Sequence, residues 1–157
     1  MRRTALYSLA LVALTLGSLR LLAAESAAEG GWLVDYKQAQ ALSKETGKPI
    51  LADFTGSDWC GWCIRLKKEV FDTDEFKKWA AANVILLELD FPHEKKQSPE
   101  IKKQNEALSD KYDIQGFPTI LFLDHTGKKL ADSGYIEGGP AKWIADAKAK
   151  LGAHGSK

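Results

Sequence analysis

The chain has 157 residues, 45% hydrophobic and 27% charged, which is ordinary for one folded domain and unlike a disordered or low-complexity segment. Its 22 Lys and Arg against 21 Asp and Glu leave a formal charge of +1, too little basic excess for a nucleic-acid-binding surface. Only two cysteines occur, Cys60 and Cys63, which excludes a framework of several structural disulfides and leaves one pair of thiols to account for.

At the amino terminus Arg2 and Arg3 precede Thr4 to Leu19, an uncharged run rich in Leu and Ala, and small residues follow up to Ala28. This is the pattern of a secretory signal peptide. The run is shorter than the roughly 20 residues of a membrane-spanning helix, and Arg20 closes it. The expected organisation is a signal peptide over 1–28, cleaved after about residue 24 to 28, a single domain over 29–152 and a flexible tail over 153–157. Export would place Cys60 and Cys63 where disulfides persist. Loss of Arg2, Arg3, Arg20 and Glu25 would turn the net charge to about −1.

A short edge strand is possible at Trp32 to Val34. Asp35 then caps a helix that runs to about Gly47, where glycine can take the left-handed position and Lys48-Pro49 blocks continuation. The mostly apolar run Pro49 to Phe54 reads as a buried central strand, Thr55 to Trp59 as a loop, and a helix begins around Cys60 with Leu66 and Val70 on one face. Asp72 and Glu75 have capping-box spacing for a short helix through Ala82, and Val84 to Leu89 reads as the next strand. Ser98-Pro99 opens a helix to Tyr112 with Ile101, Leu108 and Tyr112 on one side and its lysines toward water. Thr119 to Leu123 and Lys129 to Tyr135 form a hairpin around Asp124 to Gly127, and Gly139-Pro140 opens a last helix to Leu151. The alternation predicts an α/β three-layer α/β/α sandwich with a mixed central sheet.

Within Trp59-Cys60-Gly61-Trp62-Cys63 the thiols are three apart at a strand-to-helix junction, a spacing at which a small disulfide ring can close and reopen. The free amides and dipole of the helix start favour a thiolate at Cys60, the sulfur expected to be the more exposed. Cys60 is therefore the candidate nucleophile and Cys63 the resolving thiol of a mixed disulfide. Two other uses of the pair compete. A zinc site needs four ligands, and His93, His125 and His154 are scattered singly; a purely structural crosslink over so short a loop constrains the unfolded chain little. Soft-metal transport is a further use, but Met1 is the sole methionine. No metal and no cofactor is expected. Pro118 directly precedes a strand, where it cannot donate to a ladder; a trans bond is the commoner state of an X-Pro pair, whereas a cis bond would leave the backbone of Phe117 free to pair with an extended substrate.

Asp53-Phe54, Trp59-Cys60-Gly61-Trp62-Cys63 and Tyr112-Asp113-Ile114-Gln115-Gly116-Phe117-Pro118-Thr119 together resemble the thioredoxin superfamily in order and spacing, over about residues 32 to 151. Phe54-Thr55-Gly56-Ser57-Asp58-Trp59-Cys60 with Leu89-Asp90-Phe91-Pro92 is similar, more narrowly, to exported disulfide oxidoreductases of the DsbH type and to the carboxy-terminal domain of DsbD. The resemblance implies a thioredoxin-like fold, a cis bond at Pro118 facing the cysteines, and at Asp53 a buried acid that moves protons to and from the resolving cysteine; a solvated strand-end aspartate is the alternative there. Trp59 and Trp62 become candidates for the substrate surface with Phe117 and Pro118, although Trp59 could equally be a core residue. Asp58 reads as a solvated loop charge.

Trp62 stands where thioredoxin has proline, and the loop from Asp53 to Cys60 is one residue longer. Trp62 adds no positive charge to stabilise a thiolate, which argues against a strongly oxidising couple. The helical insertion of DsbA-type oxidases and the separate dimerisation domain of DsbC-type isomerases have no counterpart in this sequence. The resemblance therefore implies a periplasmic, monomeric disulfide reductase, acting on disulfide-containing exported proteins and recharged by a membrane electron donor resembling DsbD. A disulfide oxidase or isomerase, and a non-catalytic thioredoxin-like binding module, are the alternatives.

Overall fold

The structure, a computed structural model, describes residues 31–152; the expected signal peptide over 1–28 and the tail over 153–157 lie outside them. In chain order the elements are α1 (Tyr36–Thr46), β1 (Ile50–Thr55), α2 (Gly61–Leu66), a π-helical turn (Lys67–Phe71), α3 (Asp74–Asn83), β2 (Ile85–Asp90), α4 (Pro99–Lys111), β3 (Thr119–Leu123), β4 (Lys129–Ser133) and α5 (Gly139–Gly152). The Asp35 side chain accepts the Gln38 N–H, and Gly47 ends α1 with φ 72°, as local chemistry predicted. At Trp32 to Val34 only a single parallel bridge forms, between Leu33 and Leu87.

The strands lie in the order β2-β1-β3-β4, with β1 parallel to β2 and antiparallel to β3, and β3 antiparallel to β4, giving the expected mixed sheet. Strand alternation divides the core in two. Leu51, Leu86, Ile120 and Phe122 face one layer, packed with Leu66, Val70, Phe76, Trp79 and Trp143. Ile50, Ala52, Phe54, Leu87, Leu89, Leu121 and Leu123 face the other, packed with Ala39, Leu42 and Leu108. Helices thus cover both faces, and the β1 to α2 junction is held from both sides.

Local expectations needed correction at three places. The cysteine helix is not uniformly α-helical: at Lys67 it widens into a π turn, and Leu66 and Val70 are both buried across that change. The cap of α3 is Thr73, whose hydroxyl accepts the Phe76 N–H at 3.3 Å, and not Asp72. Asp72 instead ends the π turn, donating its N–H to the Lys67 carbonyl while its carboxylate pairs with the Lys67 ammonium at 3.1 Å. The last strand stops at Ser133 rather than Tyr135, because the Gly134 carbonyl is taken by the Trp143 indole N–H at 3.0 Å.

Candidate active site

The cysteines stand where β1 passes through Gly56–Trp59 into α2. Cys60 is the N-cap, in extended conformation, and its Sγ accepts the Cys63 N–H at 3.3 Å, so the sulfur takes the place usually held by a capping oxygen. Cys60 and Cys63 are joined in a disulfide, with Cα atoms 5.3 Å apart. The expected contrast in exposure between the two sulfurs is small here, since Cys60 is 7% and Cys63 4% exposed. The open surface is supplied by the tryptophans, 43% for Trp59 and 56% for Trp62, so Trp59 is not a core residue.

Trp59 is nonetheless fixed. Its ring stacks on His93 at 4.5 Å and meets Phe117 edge-on at 5.9 Å, and its Nε1 donates to the Phe91 carbonyl at 2.8 Å. Phe91 and Phe117 are themselves 5.0 Å apart. These rings border a cleft of about 520 Å³ that extends to Lys95, Gln97 and Lys102. Asp58 is not the solvated charge expected: its carboxylate accepts the N–H groups of His93, Glu94 and Lys95 at 2.8 to 3.0 Å, and these bonds lower its pKa to about 2. It ties the 91–98 loop to the cysteine loop. On the other flank Trp62 lies 5.1 Å from Tyr135, and the Arg65 guanidinium covers both rings while pairing with Glu69 at 2.7 Å.

The Phe117–Pro118 peptide bond is cis. The antiparallel register sets Phe54 against Thr119, which brings Pro118 to the end of β1 beside the cysteine loop. Among the described residues, the backbone of Phe117 makes no hydrogen bond. Asp53 lies inside β1 and is buried, not solvated, with its Oδ1 without a hydrogen-bond partner. Burial raises its pKa to about 8, helped by Glu88 and opposed by Lys67. The sequence reading missed Glu88, Lys67, His93, Arg65 and Tyr135. For Glu88 a signal existed, an acid interrupting the apolar run Val84 to Leu89, but its neighbour depends on strand register.

The structure thus brings Asp53, Trp59, Cys60, Cys63 and Phe117-Pro118 to one end of the sheet. A family model described as a thioredoxin-like domain matches residues 36–148. The disulfide bond reductase DsbH of Chlamydia pneumoniae is 39% identical over 116 residues, covering 74% of this chain and 70% of that protein. A solved structure of a DsbH oxidoreductase superposes with a TM-score of 0.75 at 38% identity, over 81% of this chain and 88% of that one. The thiol:disulfide interchange protein DsbD of Actinobacillus pleuropneumoniae is 31% identical over 101 residues, 62% of this chain but only 16% of that much longer protein. A family match over most of the described residues, and a relative shared along more than two thirds of its length, establish that the chain belongs to the thioredoxin-like domain family.

Proposed function

We propose that this protein is an exported thiol:disulfide oxidoreductase working as a disulfide reductase in the periplasm, with the segment 1–28 as its signal peptide. The observation that carries the reading is the Cys60–Cys63 disulfide at a helix start, with the buried, partly unpartnered carboxyl of Asp53 in the strand that leads into it. In the reduced protein the Cys60 thiolate attacks one sulfur of a substrate disulfide, and the other sulfur leaves as a thiolate that takes a proton from water. Cys63 then loses its proton, by way of Asp53, and attacks Cys60 Sγ; the second substrate thiolate leaves. Both electrons end on the substrate, and the enzyme is left with the Cys60–Cys63 disulfide.

Around that chemistry, the unpaired backbone of Phe117 beside cis-Pro118 suits an extended substrate segment, and Trp59 and Trp62 offer apolar surface on either side. The direction is supported by the relative named a disulfide bond reductase and by the plain loop over 91–98 between β2 and α4. Substrates are disulfide-containing exported proteins, the working form is a monomer, and the electrons come from a membrane donor resembling DsbD. The test is the equilibrium potential of the Cys60–Cys63 couple against glutathione or dithiothreitol. A value near about −270 mV supports reduction, and one near about −120 mV refutes it in favour of oxidation. A disulfide that opens only when the fold unfolds refutes catalysis and leaves a binding module.

A further inference from the structure

Asp53 has an acidic neighbour on the adjacent strand. Parallel pairing of β1 with β2 sets Asp53 beside Glu88, and the next pair on the same face is Thr55 beside Asp90. With strands about 4.8 Å apart, paired side chains on one face share one electrostatic environment. From β3, the partner of Asp53 is the uncharged Ile120. From the helical segment that follows β1, the charge of Lys67 acts on Asp53 and Glu88 alike, while its ammonium pairs with Asp72 at 3.1 Å. Lys95 of the 91–98 loop acts on Glu88 alone. Asp90 accepts the N–H and hydroxyl of Ser57 at 2.9 and 2.6 Å, and its negative charge also acts on both Asp53 and Glu88, adding to the cost of ionising either.

The two carboxyls differ in access. Asp53 is buried with Oδ1 unpartnered, whereas Glu88 is half-buried on β2, an outer strand of the sheet. Two carboxyls in one poorly solvated site do not both ionise readily; they hold one proton between them over a wide pH range. The geometry points to a proton-sharing pair of Asp53 and Glu88, in which Glu88 is the positioning residue that connects the buried Asp53 with solvent and Lys67 balances the remaining negative charge. This rests on reading Cys60–Cys63 as a redox couple. In the resolving step, with the shared proton on Glu88 and Asp53 ionised, the Cys63 thiol proton passes to Asp53, Cys63 Sγ bonds to Cys60 Sγ, and the substrate sulfur leaves with the electron pair. The carboxyl pair then holds two protons, and Glu88 returns one to water.

The experiment is a carbon-13 NMR titration of the side-chain carboxyls in the oxidised protein, where no turnover occurs, for the wild type, Glu88→Gln, Glu88→Asp and Lys67→Met. The wild type is expected to show two coupled steps at Asp53. Glu88→Gln should reduce them to one and lower the midpoint by about one pH unit, Glu88→Asp should keep both, and Lys67→Met should raise the midpoint. An Asp53 titration unchanged in a folded Glu88→Gln overturns the pair, whatever the protein's redox activity. A second measurement follows the pH profile of thiol release by Cys63 from a small mixed disulfide on Cys60. If the carboxyl titration moves in Glu88→Gln and this profile does not, the proton route is overturned while the redox couple stands.

Discussion

Replacing Asp53 by Asn is expected to stabilise the fold, by an amount that grows with pH. The folded protein holds the Asp53 proton up to about pH 8, whereas the unfolded chain releases it near its ordinary value of 3.8. Between those two values the native state binds one more proton than the unfolded state, so the stability of the wild type falls as pH rises and levels off above about pH 8. Each pH unit in the window corresponds to about 1.4 kcal/mol, so the cost of keeping Asp53 is about 2 kcal/mol at pH 5 and roughly 4 kcal/mol at pH 7. Asparagine has nearly the same shape and no proton to lose. Urea unfolding of the oxidised wild type and Asp53→Asn at pH 5 and 7 should therefore give curves whose separation widens by about 2 to 3 kcal/mol between the two. A separation that does not change with pH, or that narrows, refutes the assignment of a raised carboxyl to this position.

Cys63→Ser should accumulate a mixed disulfide through Cys60 when the reduced protein meets a disulfide-bonded substrate, visible on a non-reducing gel, and Cys60→Ser should not; the opposite pattern reverses their roles. Gly56→Ala should cost about 1–3 kcal/mol of stability. Its Cβ would lie 2.5 to 2.8 Å from Trp59 indole atoms, and turning the ring away breaks the bond to the Phe91 carbonyl; an unchanged unfolding midpoint would count against that packing. Asp58→Asn should speed hydrogen exchange at the His93, Glu94 and Lys95 amides while the sheet amides keep their protection. Because these bonds favour the ionised carboxylate, the wild-type clamp is complete above its ordinary pKa and lost as pH falls through about 2; equal exchange rates in the two proteins would dismiss it.

Much of this protein was legible in its residues because the signals are local. Asp35 and Ser98 cap their helices through their own side chains, Gly47 supplies the left-handed turn, and apolar runs from Ile50 and Thr119 become buried strands. The spacing of Cys60 and Cys63 by itself set them across the first turn of a helix, and their motif, with Phe117-Pro118, led to the right family. Where the sequence reading went astray, a longer-range partner had won a local competition. Asp72 had cap spacing, yet Lys67 and the π turn claimed it; Gly134 lay in a strand-like run, yet the Trp143 indole took its carbonyl.

Composition and pattern alone therefore determined the fold class, the cysteine pair and the helix and strand order. Only the tertiary structure decided what surrounds the pair. That Asp53 is buried and lacks a partner for Oδ1 follows from helices closing over one face of the sheet, and that Glu88 is its neighbour follows from the parallel register of β1 and β2. The aromatic wall of Trp59, Phe91, His93 and Phe117 joins residues from three separate loops. Caps and periodicity are written within a few residues of one another, but register, burial and the field at a carboxyl arise from segments far apart in the chain, and they exist only once those segments have packed.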